Sequence, residues 1–316
     1  MIRHVTLVVK KTSWETFVRD RQDDHVAELI EAGDASVARI RATHEAHEQT
    51  VKTVRRALDD LGAQVELRHA TDRARPLHSE LVVTVGGDGT LLSASHLAGP
   101  EVPMLAINSA PRSSVGFYCS ATAENAADFL AQALRGTLPR VELARMAVRK
   151  NGEVVHNRVL NDMLFCHRCP AATSRYILTV SHDGAAEEHE DQVSSGLWVG
   201  PPAGSTAAQK SAGGDVMPLL SRQLQYVVRE PYAPEGHALA HVKGRIASTG
   251  YLRLKSRMSR AQVFLDGPHD AFDVRLGDVV EVALSDEPLT VLGLSVAEDP
   301  TRAFTLPAPP RPPTRR

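Results

Sequence analysis

Residues 80–92 read Glu-Leu-Val-Val-Thr-Val-Gly-Gly-Asp-Gly-Thr-Leu-Leu, and few folds accommodate such a run. Leu81 to Val85 is apolar and β-branched, which predicts a buried strand. Gly86, Gly87, Asp88, Gly89 and Thr90 end it, and Leu91 to Leu97 begins a helical pattern. In a strand–glycine loop–helix unit, backbone N–H groups of the loop and helix start converge on an anion, and phosphate suits them. Glycine lets the backbone approach a ligand closely and take positive φ where needed. Asp88 sits inside this cradle, where a carboxylate beside phosphates is repulsive. It becomes useful if it binds a metal ion or takes a proton from a hydroxyl during phosphoryl transfer. The alternative is a tight turn with a solvated Asp, and the flanking strand and helix weigh against it.

The 316 residues allow one large domain or two ordinary ones, and 42% hydrophobic with 23% charged residues predicts a proper core. A net charge of -2 argues against nucleic-acid binding by bulk positive charge. Three cysteines are too few for a disulfide framework and point to a reducing compartment. Ile2 to Val9 reads as a strand with no signal or transit peptide ahead of it, and no apolar run reaches bilayer length. The expectation is a soluble cytoplasmic protein with no membrane partner.

Ile2 to Lys10 predicts a first parallel strand, with Lys10 and Lys11 at its carboxyl end, where ligands gather in open α/β sheets. Residues 14–33 are polar and partly helical, with Phe17, Val18, Val26, Leu29 and Ile30 as buried candidates. A long helical pattern covers Ala35 to Leu61, with Gly62 as its C-cap. His44 and His47 share that helix without a third ligand in view, so a metal role is disfavoured. Ala63 to Arg68 and Pro103 to Asn108 predict further strands, and Ala123 to Leu134 another helix. Asn108 falls at a strand end near Asp88. Strands alternating with helices predict an α/β domain with a parallel, Rossmann-like sheet over residues 1–137. Beyond Pro139 short strand patterns dominate, predicting a β-rich second domain over 138–284. Residues 285–300 form a return segment to the first domain, and 301–316 a disordered Pro/Arg tail.

Two stretches of the β-rich half carry chemistry. Asn161 and Asp162 interrupt an apolar strand-like run, and adjacent polar residues there need partners if buried. Vicinal sugar hydroxyls are one possibility, a strand bulge the other. Residues 194–214 run from a strand into a loop rich in Gly, Pro, Ser and Thr, with a short helix starting near Ser205 and hydroxyls placed for capping. Leu265-Asp266-Gly267 and Leu276-Gly277-Asp278 read mainly as structural turns.

Taken in order, these pieces resemble the NAD kinase family over most of the chain, roughly Ile2 to Ser295. Gly86-Gly87-Asp88-Gly89-Thr90 matches the family's phosphate loop, Asn161-Asp162 stands at its Asn-Glu motif, and Gly204-Ser205-Thr206-Ala207 with Ser211-Ala212-Gly213-Gly214 matches its second glycine-rich motif. The loop alone also occurs in diacylglycerol and sphingosine kinases; the three together are specific. Val9-Lys10-Lys11-Thr12 with its helical insert, Asn108-Ser109-Ala110-Pro111-Arg112 and Ser194-Ser195-Gly196-Leu197 are similar to the mitochondrial-type branch.

The resemblance implies transfer of the ATP γ-phosphate to the adenosine 2′-hydroxyl of NAD, with Mg²⁺ on the triphosphate. By position it implies Asp88 as proton acceptor, with Gly86, Gly87, Gly89 and Thr90 along the phosphates. Asn161 and Asp162 would hold the ribose or adenine, and Thr206, Ala208 and Ser211 would lie along bound NAD. It also implies a homodimer or homotetramer. Four positions depart from the family pattern. Asp162 replaces Glu, Ser195 stands where many members carry an Asp near the nicotinamide, Ala203 replaces a small polar residue, and Ala208 replaces an aromatic one. These departures leave two alternatives in view: a related kinase for another acceptor (NADH, another nucleotide or nucleoside, or a lipid), and a non-catalytic dinucleotide-binding regulator.

Overall fold

The first sheet follows from a change of pattern along three strands. In β1 (His4–Val9), β3 (Leu81–Gly86) and β4 (Met104–Asn108), nearly every residue is buried, as expected for strands covered on both faces. Odd and even positions enter different cores. Val5, Leu7, Val9, Leu81, Val83, Val85, Leu105 and Ile107 pack with helices α2 (Ile40–Asp60) and α4 (Ala126–Arg135). Val8, Val82, Met104 and Ala106 pack on the other face with Leu91 and Ala94 of α3 (Asp88–Ser95). This is the two-residue strand period resolved into two layers. The computed structural model describes residues 2–72, 76–182, 186–233 and 235–296; the predicted tail at 301–316 lies outside them.

Sheet order is β2 (Gln64–His69), β1, β3, β4, β19 (Leu289–Leu292), β6 (Arg140–Leu143), with β5 (Ala121–Thr122) beside β4. All neighbours run parallel except β6, which pairs antiparallel with β19. The parallel sheet expected over residues 1–137 is extended by one antiparallel strand, β6. The sheet is mixed, and its last strand is β6, so the chain leaves it only at Ala144–Arg145. The expected return segment does re-enter, as β19.

The remaining strands form two six-stranded antiparallel sheets. One is β11 (Glu188–Ser194), β10 (Ser174–Ser181), β15 (Tyr251–Ser256), β18 (Val279–Leu284), β7 (Met146–Lys150), β8 (Glu153–Val159). The other is β14 (Lys243–Ile246), β13 (Leu224–Arg229), β12 (Gly196–Gly200), β9 (Met163–His167), β16 (Ala261–Leu265), β17 (Asp270–Val274). Their inner faces share one core, including Val148, Phe165, Tyr176, Leu197 and Val263, which makes a sandwich. The segment between β8 and β9 carries the chain from one sheet to the other and contains Asn161 and Asp162.

Arg145 ties the crossings together. It is fully buried, and its guanidinium donates to the carbonyls of Glu287 at 2.6 Å, Ser95 at 2.9 Å, Ala98 at 3.2 Å and Pro288 at 3.2 Å. It thus joins the outgoing strand, the returning strand and the carboxyl end of α3, where a cation also meets the helix dipole. Burial, reinforced by the charge of Arg158, pushes its pKa down to about 10.

Helix α2 buries one stripe, His44, His47, Thr50, Val54, Ala57 and Leu58, at helical spacing. Gly62 closes it with φ +71, and Ala63 N–H returns to Leu58 O at 3.0 Å, a left-handed cap. Each of the two histidines contacts a loop hydroxyl. His44 Nδ1 lies 3.0 Å from Thr12 Oγ1, and His47 Nδ1 2.9 Å from Ser109 Oγ. The insert before α2 differs from expectation. Phe17, Val18, Val26, Leu29 and Ile30 sit on a π-turn at Glu15–Asp20 and on α1 (Asp24–Glu31), and none is fully buried. Among the described residues no helix is long and apolar enough to cross a membrane.

Candidate active site

Strand β3 delivers Gly86 and Gly87 to the carboxyl edge of the first sheet. Helix α3 then starts at Asp88, three residues before the predicted Leu91. Gly87 is its N-cap, and Thr90 N–H closes the first turn on Gly87 O at 2.9 Å. No side chain caps the helix, so its first-turn N–H groups remain for an anion. The glycines serve closeness, not special φ, because none of the three has positive φ. A Cβ on Gly86 would stand 2.0 Å from Thr90 Oγ1, and one on Gly87 2.5 Å from Ser114 Oγ. At Gly89 a Cβ meets nothing within 4 Å, because this residue faces the cavity.

That cavity holds about 630 Å³ and is lined by Lys10, Lys11, Asp88, Thr90, Ser114 and His269 among others. Cations, hydroxyls and helix-start N–H groups face one another across it, the donor set of a polyphosphate site. Among the described residues Asp88 is the one carboxylate in its lining. Lys11 also pairs with Asp20. His269 comes from the β16–β17 turn, so the sandwich closes one side of the cavity.

The β8–β9 crossing lies outside the described lining of that cavity, and Asp266 shapes it. Its carboxylate accepts backbone N–H groups from Leu160 at 2.8 Å, Asn161 at 2.7 Å and Asp162 at 3.0 Å. Asp266 itself has φ +49, followed by Gly267 at φ +114, so the tight β16–β17 turn aims the carboxylate at this segment. Its Oδ2 also meets His96 Nε2 at 2.7 Å, at the end of α3. From the opposite side, Gly200 and Gly204 press on the same crossing. A Cβ at Gly204 would lie 1.7 Å from Asn161 O, and at Gly200 2.2 Å from that atom. The glycines of the second motif therefore bring two backbones together. Gln209, held by Gln225 Nε2 at 3.2 Å, reaches Asn161 O at 3.5 Å.

Asp162 is 7% exposed. Burial, with the charge of Asp266 added, pushes its pKa up to about 7. Tyr118 connects the cavity to the crossing: its backbone N–H donates to Asp88 Oδ1 at 2.9 Å and its phenol O–H donates to Asn161 Oδ1.

The structure thus brings Asp88, Gly87, Gly89 and Thr90 to one cavity, with Gly86 packed behind Thr90 and Asn161 linked through Tyr118. Asn108 is engaged elsewhere: its amide holds the loop that follows, donating to Ser114 O and accepting from Ala110 N–H. Thr206 and Ala208 are half-buried and Ser211 is exposed. The helix near Ser205 starts later, as α5 (Ala208–Ser211), after a 3-10 turn at Pro202–Thr206. Ser205 does not cap it; its Oγ donates to Pro202 O and accepts Met217 N–H. Ser195 lies at the far end of β12 from Gly200 and is not in the cavity lining. Ala203 is buried in the core between the domains, with Leu160 and Leu91, so packing accounts for an apolar residue there.

Residues 8–138 match the profile of the ATP-NAD kinase N-terminal domain. A probable NADH kinase of Oryza sativa subsp. japonica is 35% identical over 260 residues, covering 77% of this chain and 80% of that protein. The chain belongs to the NAD kinase family. The fold agrees with two solved structures. An NAD kinase from Archaeoglobus fulgidus in complex with ATP superposes with TM-score 0.64 at 20% identity, covering 95% of this chain and all of that one. Yeast NADH kinase complexed with NADH superposes with TM-score 0.68 at 17% identity, covering 96% and 86%. For an NAD kinase, the missed residues Tyr118, His96 and Asp266 are as informative as the motifs. Only Asp266 left a trace in sequence, as an Asp-Gly turn.

Proposed function

We propose that this chain transfers the γ-phosphate of ATP to the 2′-hydroxyl of the adenosine ribose of NAD or NADH. One observation carries the reading: Asp88, the single carboxylate among the described residues lining a cationic cavity, is tied through Tyr118 to Asn161 on the β8–β9 crossing. ATP phosphates would lie along Gly87–Thr90 with Lys10 and Lys11. The ribose would sit between Asp88 and Asn161. The Tyr118 N–H takes Asp88 Oδ1, leaving Oδ2 to accept the 2′-hydroxyl proton as the hydroxyl oxygen bonds the γ-phosphorus and the bond to ADP breaks. Mg²⁺ supplies charge neutralisation on the triphosphate. Among the described residues no group of three His, Cys, Asp or Glu side chains could hold a metal. Asp88, in the described cavity lining, is the carboxylate that would face such an ion. Three unpaired cysteines support a reducing, cytoplasmic setting, and membership of the family supports a homodimer or homotetramer.

A preference for NADH is a second component of the proposal. Ser195 stands where many members carry an Asp near the nicotinamide, and a missing carboxylate removes attraction for the oxidised, cationic ring. The test is to incubate purified protein with ATP, Mg²⁺ and either NAD or NADH and to measure NADP(H). Product with wild type and its loss in Asp88→Asn are expected. Tight nucleotide binding without product from either acceptor would sink the reading in favour of a regulator or a kinase for another acceptor.

A further inference from the structure

Tyr118 is among the largest fully buried side chains, and it belongs to a core cluster that includes Leu91 and Leu160. Burial, then the charges of Asp266, Asp88 and Asp162, push its pKa well up. The phenol therefore stays protonated and has one hydrogen to donate, which goes to Asn161 Oδ1. An Asn amide is nearly symmetric in shape, and its orientation is set by its partners. Here a donor on one side selects Oδ1, which turns Nδ2 the other way. Among the described residues Asn161 Nδ2 has no hydrogen-bond partner, while Asn161 N–H is held by Asp266 and its carbonyl by Gln209. The backbone N–H of Tyr118 meanwhile holds Asp88 Oδ1 at 2.9 Å.

We propose that Tyr118 is a positioning residue that sets the cavity and the β8–β9 crossing for a vicinal diol. It presents the Asp88 carboxylate as acceptor to one hydroxyl and the Asn161 amide as donor to its neighbour. This rests on the kinase reading above. Tyr118 touches no reacting atom; it acts through Asn161 and Asp88, with the peptide group fixing the carboxylate and the phenol fixing the amide. Removing only the hydroxyl leaves Asp88 held and lets Asn161 reorient. The effect therefore falls on the acceptor and not on ATP.

The test is Tyr118→Phe, which keeps the ring and the backbone N–H, measured with wild type, Asn161→Ala and the double variant. Losing one orienting hydrogen bond lowers kcat/KM for NAD(H) roughly tenfold, with KM for ATP within about twofold of wild type. In the Asn161→Ala background the same substitution changes kcat/KM by less than about twofold, because its target is gone. Equal losses in both backgrounds, or no loss in the single variant, overturn the proposal. So does a fall in unfolding temperature of more than about 10 °C, which makes the hydroxyl a fold element. If wild type itself forms no NADP(H), the kinase reading fails. If wild type is active and Tyr118→Phe matches it, the kinase reading stands and only the role of Tyr118 falls.

Discussion

His96 should make the stability of this protein fall as pH rises. Its Nε2 lies 2.7 Å from Asp266 Oδ2 and its Nδ1 2.9 Å from Asp270 Oδ2. Carboxylates only accept, and a neutral imidazole has a single N–H, so both contacts require imidazolium. Burial alone drives the pKa of His96 down, but the hydrogen bonds and charges of Asp266 and Asp270 outweigh it and raise the net value above 6.5. Because the folded value exceeds the unfolded one, the stabilisation is complete below about 6.5 and is lost as pH rises through the folded pKa. Other groups face this cluster. His156 stacks on His96 at 4.5 Å between centroids and is held neutral, its pKa pushed down to about 4 by burial and then by His96. Arg158 donates to His96 O and pairs with Glu287, and Arg145 lies behind α3. The perturbation is His96→Leu. Breaking a buried ion pair costs about 3–5 kcal/mol. Asp266 keeps three backbone N–H partners and the Asp270 side chain is 29% exposed, so the lower end, about 3 kcal/mol, applies. For a chain of this size that is a drop of roughly 5–10 °C in unfolding temperature at pH about 6. Thermal unfolding of both proteins from about pH 6 to about pH 9 gives the gap, which should narrow as pH rises. A gap that stays constant or widens refutes the imidazolium clamp.

Four further outcomes follow from the same structure. Gly204→Ala places a methyl 1.7 Å from Asn161 O and should abolish NADP(H) formation while moving the crossing. Gly89→Ala has open space, should fold with equal or slightly better stability, and should raise KM for ATP because the methyl enters the cavity; normal ATP kinetics would place the phosphates elsewhere. Arg145→Lys replaces a fork that reaches four carbonyls with a single ammonium, and chemical denaturation should register a loss of about 2–4 kcal/mol. Asp162 has its folded pKa pushed up to about 7 from 3.8, so it withdraws stability as pH rises between those values. Asp162→Asn should remove that slope and be more stable than wild type by a few kcal/mol at neutral pH, and an unchanged unfolding profile would contradict the burial argument.

What could be read from the sequence was local. The buried strands at Leu81–Val85 and Pro103–Asn108, the helix ending at Gly62 and the β-rich second half all appear, because hydrophobic period and capping chemistry are set within a few residues. Strand β11 was not visible: Glu188-His189-Glu190-Asp191 is a charged edge strand with no apolar alternation, formed because β10 offers a free edge. Strand β6 reads in sequence as the start of the β-rich half. It pairs with β19, nearly 150 residues later, and no local signal carries that pairing. For the site, the phosphate loop is legible because one contiguous run builds it. The cluster around the β8–β9 crossing is not, since His96, Tyr118, Asn161 and Asp266 meet only through the fold. Asn108 stands at the end of its strand, and its amide bonds to its own loop are set by a turn that the strand pattern does not reveal.

The departures from the family pattern now separate by cause. Ala203 lies in the core between the domains, where its neighbours Leu160 and Leu91 favour an apolar side chain over a polar one. Ala208 is half-buried at the start of a four-residue helix that contributes nothing to the phosphate cavity. Neither touches the link between Asp88 and Asn161. Asp162 differs in kind. It lies on the crossing that Asp266 holds by three backbone N–H groups, so its carboxyl is fixed near a second carboxylate and away from water. A shorter side chain keeps it against that crossing, and with a pKa near 7 it offers a ligand a proton as readily as a charge. Burial first and the Asp266 charge second raise the Asp162 pKa, while the same Asp266 carboxylate fixes the backbone of the crossing that carries Asp162.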